Sequence, residues 1–204
     1  MKLNKKFIHI ATGVFLATEA LVVLLYTFVF GRGFHLNWSI SRYMGTDYWS
    51  AILFALTNFI VVYLVLRYLL QVRRVHGLSA FWLVLVIAMV VAYIGLSICP
   101  IGLFDPYWGH FGIVSTLHHT FSQTLFAIMA MVALGTMLVI KKGKLFIAFG
   151  VALIVYMVGS IYCYKASVGF FVDHVLLFES GYILANLIFY SLIPKKSGII
   201  EKQN

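Results

Sequence analysis

Charge is scarce in this chain. Of 204 residues only 10% are Asp, Glu, Lys or Arg, and only six of those are acidic. Three prolines and two cysteines, Cys99 and Cys163, complete the shortages, and the cysteines form no Cys-x-x-Cys pair. Too few charges remain to solvate the surface of a water-soluble domain. One disulfide at most is available, so a disulfide-stapled scaffold and thiol redox chemistry are both excluded. No basic face interleaved with aromatic residues is present, so a nucleic-acid partner is excluded as well. In their place stand 63% hydrophobic residues and a mean hydropathy of +1.01, which describe a chain made for a bilayer.

Six apolar runs can be read, at about 7–31, 49–71, 80–98, 117–140, 145–164 and 171–193. Each approaches the 20 residues or so that a helix needs to cross a hydrocarbon core of about 30 Å. They are continuous and lack the alternation of membrane barrel strands, so helices are the economical form. The sequence predicts an all-α integral membrane protein, a single six-helix transmembrane bundle over residues 1–204. The first run follows "MKLNKK" but continues through "ALVVLLYTFVF". It is too long for the apolar part of a signal peptide, and a retained helix is expected.

Basic residues sort by side. Lys2, Lys5 and Lys6, Arg67, Arg73 and Arg74, Lys141, Lys142 and Lys144, and Lys195, Lys196 and Lys202 fall on one face, leaving Arg32, Arg42 and Lys165 for the other. The bias predicts that both termini are cytoplasmic, and it accounts for the net charge of +9 through topology and anionic headgroups. The location expected is a cell membrane, with the bacterial cytoplasmic membrane first in view.

On the outer face the loops gather chemistry. "GRGFHLNWSISRYMGTDYW" brings His35, Ser41 and Asp47; "CPIGLFDPYWGHFGIVSTLHH" brings Asp105, His110, His118 and His119; "KASVGFFVDH" brings Asp173 and His174. Pro100, Gly102, Gly109 and Gly112 break any helix in the second loop, which suits a turn or a lid. Inside the apolar runs lie Glu19, Asn58, Gln123 and Glu179, each about 12–18 Å from its outer helix end at 1.5 Å per residue. A carboxylate at mid-bilayer costs about 2.5–3.5 kcal/mol on insertion scales, so such groups turn inward and find a partner. Tyr182 follows Glu179 by three residues, and Gln123 follows His119 by four, so each pair shares a helix face.

The stretches "SISRYMGTDYWSAILFALTNF", "CPIG", "DP" and "LHHTFSQTLF" resemble a bacterial family of six-helix membrane proteins that has no assigned activity. That family is similar to the eukaryotic group of damage-regulated autophagy modulators and Sfk-type plasma-membrane proteins. The resemblance implies a six-helix bundle and a link to membrane lipid organisation. It assigns no role to Ser41, Asp105 or His118, which match its pattern.

Three functions compete. The first is binding or sensing of a lipid headgroup or small amphiphile in an outward-facing cavity, through Glu19, Ser41, Asn58, Asp105, His119, Gln123, Glu179 and Tyr182. The second is a membrane-embedded zinc hydrolase, its ligands drawn from His118, His119, His174, Asp105 and Asp173. The usual pair of histidines four apart is missing, because positions 122 and 123 are Ser and Gln. The third is proton- or cation-coupled transport along Glu19 and Glu179. Haem held by two histidines has least to recommend it.

Overall fold

The computed structural model describes residues 3–38, 40–44, 48–99, 113–141, 143–166 and 169–194; within these, the side chains of Ser41, Met44, Ser115, Tyr164, Lys165, Phe171 and Val172 are left aside. Every regular element among the described residues is a helix, with no strand. In order come α1 (Lys6–Leu24, prolonged by a π-helical turn Leu25–Val29), α2 (Ile40–Met44), α3 (Tyr48–His76) and α4 (Ala80–Ile98), then α5 (Ile113–Val139), α6 (Lys144–Lys165), α7 (Gly169–Asp173) and α8 (Val175–Leu192). Six of these, α1 with its π turn, α3, α4, α5, α6 and α8, are long and apolar enough to cross a membrane.

The ends of the helices follow local chemistry. Gly77, at φ +70°, closes α3 by letting its own N–H and that of Leu78 both reach the Arg73 carbonyl. Two residues later Ser79 caps α4, its Oγ accepting from the Trp82 N–H at 3.1 Å. α3, with Arg73, Arg74 and His76 in its last turn, outlasts the apolar run expected to stop at 71, because cations at a C-terminus suit the helix dipole. The run expected over 171–193 is broken at His174, whose backbone leaves the helical region at φ −127°. There the first turn of α8 is tied elsewhere: the Leu176 N–H donates to the Leu36 carbonyl at 3.1 Å.

The helices pack as a ring. α1 lies on α3, α3 on α4, α4 on α5, α5 on α6, α6 on α8, and α8 returns to α1, with α5 also touching α8. Two close approaches need glycine. A Cβ on Gly95 of α4 would lie 2.6 Å from the Phe121 ring of α5, and one on Gly150 of α6 would lie 2.8 Å from Phe189 of α8. The main core contains Leu69, Val86, Leu125, Val132, Phe189 and Tyr190, while a second, smaller cluster joins Val22, Tyr26, Ile40, Tyr43, Phe54 and Leu176 under α2. The first and last described segments, around Asn4 and Ser191, lie at one end of the ring. The Asn4 N–H donates to Gln71 Oε1 at 3.0 Å and Lys5 Nζ to the Ser191 carbonyl at 2.5 Å. Large apolar side chains such as Phe28, Trp49, Phe81, Leu145 and Tyr162 are exposed on the outside.

Candidate binding site at the α1–α8 seam

The two buried-run glutamates come together, and α8 provides most of the means. Glu179 and Ser180 are consecutive on α8, and they face different partners. Ser180 Oγ donates to Glu19 Oε1 on α1 at 2.8 Å. Glu179 Oε2 accepts from the Ile40 N–H, the first residue of α2, at 3.2 Å. Adjacent residues of α8 thus tie it to Glu19 of α1 and to the start of α2. Neither carboxyl group makes an ion pair with a described residue. Thr18 Oγ1, next to Glu19, donates to Thr57 Oγ1 of α3 at 3.2 Å, and beside Thr57 sits Asn58, 3% exposed, whose Nδ2 has no hydrogen-bond partner. Such an orphaned donor in a buried position costs about 1–3 kcal/mol.

A cavity of about 20 Å³ opens beside these groups, with Glu179, Asn58 and Tyr93 in its wall. It exceeds what one water requires and lies far below the several hundred Å³ of a pocket for a drug-sized molecule. Glu19, Ser180 and Gly181 are all part-exposed along the seam where α1 meets α8.

The segment between α1 and α3 roofs this region. Tyr43 Oη accepts from the His35 N–H at 2.6 Å and donates to the His35 carbonyl at 2.9 Å. Burial pushes the Tyr43 hydroxyl above its ordinary value, which keeps its proton available for that second bond. His35 stacks on Trp38 with ring centres 4.5 Å apart, and the Arg42 guanidinium lies 4.4 Å over the Trp38 ring. Burial also lowers the Arg42 pKa from its usual value. Tyr26, from the π turn of α1, meets Tyr43 edge-on at 5.0 Å.

Of the residues expected from sequence, Glu19, Asn58 and Glu179 are thus brought into one layer. Tyr182 is buried one turn further along, its hydroxyl donating to the Phe126 carbonyl at 3.1 Å. Gln123 and His119 are exposed on α5 and do not join them. The Ser41 side chain and Asp105 lie outside the described residues. His118 is 1% exposed and its Nδ1 pairs with the Cys99 carbonyl at 2.6 Å, while His174 Nδ1 pairs with the Phe170 carbonyl at 2.8 Å. Asp173 is exposed. No three His, Cys, Asp or Glu side chains among the described residues lie together as metal ligands; Asp105, which the zinc site drawn from sequence also uses, lies outside them. Cys99 and Cys163 are both free thiols.

Ser180, Tyr93, Thr18 and Thr57 escaped the sequence reading. Ser180 had a signal in its adjacency to Glu179, since two successive polar residues in an apolar helix point about 100° apart and can serve two neighbours. No protein-family model, curated protein or solved structure matches the chain.

Proposed function

We propose that this is a multi-pass membrane protein with six crossings and both termini in the cytoplasm, and that it binds a lipid headgroup or small amphiphile at the Glu19–Glu179 layer. Six long apolar helices and the apolar belt around them support insertion. The basic residues at the end of the ring that holds the chain ends support the orientation. With that orientation the α2 end faces outward, and a cell membrane is the location.

The observation that carries the binding reading is the part-exposed seam. Two carboxyl groups are held in the bundle with no ion pair among the described residues, yet Glu19 and its donor Ser180 stay part-exposed where α1 meets α8. A purely structural pair of glutamates has no use for that exposure, whereas an amphiphile in the outer leaflet reaches it sideways with its tail still in lipid. Mass spectrometry of small molecules retained by the detergent-purified protein tests the reading. Wild type is expected to carry a defined amphiphile, depleted about tenfold in Glu19→Gln and Glu179→Gln preparations that keep the wild-type melting temperature. Identical molecular content in all three proteins sinks it.

A further inference from the structure

The cavity beneath α2 is small, and its wall is apolar except at three places. At about 20 Å³ it is bounded mostly by carbon, with Asn58 of α3, Tyr93 of α4 and Glu179 of α8 as the polar side chains. A water molecule needs about 10–15 Å³ of such space, so one fits and a group of several heavy atoms does not. Two of the polar side chains make opposite demands on an occupant. Asn58 is 3% exposed and its Nδ2 has no partner in the protein, so it calls for an acceptor. Glu179 receives the Ile40 N–H on Oε2 at 3.2 Å, and the lone pairs of its other oxygen call for a donor. Buried polar groups are costly to leave unpaired, so an occupant that answers both is favoured.

We infer that this cavity is a binding site for one water molecule, which accepts from Asn58 Nδ2 and donates to the Glu179 carboxyl group. Other occupants of similar size fail on one side or the other. Ammonium donates and cannot accept; a halide accepts and cannot donate. A metal cation meets one carboxyl group, one amide and one phenol, where calcium takes about six to eight oxygens and magnesium about six. Tyr93 stands in the same wall, and its hydroxyl both donates and accepts, which allows the third bond usual for a buried water. The water ties α3 to α8 below α2, as the Tyr68 hydroxyl ties them toward the chain ends by donating to the Tyr190 carbonyl at 2.9 Å. It also holds Glu179 from a second side. The site is built by protein groups alone and does not rest on the amphiphile; an amphiphile that reaches Glu179 must displace this water or bond through it.

The test is magic-angle-spinning NMR of the full chain in phosphatidylglycerol nanodiscs, deuterated, with nitrogen-15 in asparagine and protons restored at exchangeable sites. The Asn58 signal is assigned by its loss in Asn58→Leu, a substitution that removes the amide and its water together and leaves no donor unpaired. Wild type is expected to show a cross-peak between the Asn58 Nδ2 protons and a proton at the water frequency. Asn186, whose Nδ2 already donates to the Tyr182 carbonyl at 3.0 Å, is the buried reference and should show none. The Asn58 cross-peak should persist in Glu179→Gln, whose amide still offers an oxygen, and vanish in Glu179→Leu preparations that keep the wild-type Asn186 signal. No cross-peak at Asn58 in wild type overturns the inference, whether or not Glu179→Leu folds. An equal cross-peak at Asn186 overturns it too, since water would then pervade the bundle. A cross-peak unchanged in Glu179→Leu removes the bridge, and a shift of the Asn58 signal when ammonium replaces sodium or bromide replaces chloride makes the occupant an ion. Delipidated protein should give the wild-type cross-peak, so failure of the amphiphile reading and failure of this one are separable.

Discussion

The two ends of the helical ring are built on different terms. Toward the chain ends basic residues stand at the rim, and inside it neutral groups pair: Tyr68 Oη donates to the Tyr190 carbonyl at 2.9 Å, and Trp82 Nε1 to Thr136 Oγ1 at 3.1 Å, while Asn186 Oδ1 has no partner. Apolar side chains fill what remains. Toward α2, polar groups include both glutamates, an amide donor with no partner, and a cavity lined by aromatic rings. Each end keeps a buried amide atom without a partner. The α2 end adds two carboxyl groups to it, which stability alone would have removed.

Substitutions that act oppositely at the two ends sharpen this contrast. The largest effect is expected for Leu69→Ala, because Leu69 is fully buried in the main core and the lost contacts and cavity should cost about 2–5 kcal/mol. Reversible unfolding in mixed detergent measures it, and a loss below about 1 kcal/mol would contradict a tightly packed lower core. The reverse sign is expected for Asn58→Leu. Replacing an orphaned buried amide by an apolar side chain of similar size should raise stability by about 1 kcal/mol while weakening ligand binding. A destabilised Asn58→Leu protein would show that the amide is a structural part of the layer.

Smaller still is Tyr43→Phe, which removes both hydrogen bonds to His35 and should cost about 0.5–1.5 kcal/mol. The change should be felt as faster amide exchange over residues 30–38, with no change over α4. Uniformly faster exchange would mean that the roof and the ring unfold together.

Much of the architecture was legible because bilayer physics is severe. Continuous apolar runs have one economical structure, so the six long helices could be read within a few residues of their ends. The break at His174 could not, since it depends on a carbonyl of Leu36 far away in sequence. The same limit applies to the site. Glu19, Asn58 and Glu179 stood out as costly residues at one depth, and depth is a property of sequence position. Which way each side chain points around its helix depends on the partner helix, so Gln123, at the same depth, turned out exposed on α5. The aromatic wall was illegible for another reason: Phe15, Phe54 and Phe126 look like ordinary core filler until the cavity between them is seen.

The bond between Ser180 and Glu19 also bears on how the chain is made. Its partners are 161 residues apart in sequence, and the ring is closed only when α8 meets α1. At about 5–20 residues per second, a ribosome leaves Glu19 without Ser180 for roughly 10–30 s. During that interval α1 is a membrane segment with a bare carboxyl group, the kind of segment that quality-control proteases and insertion chaperones recognise. A nascent chain stopped before α8 should therefore be cleared from the membrane much faster than the finished protein.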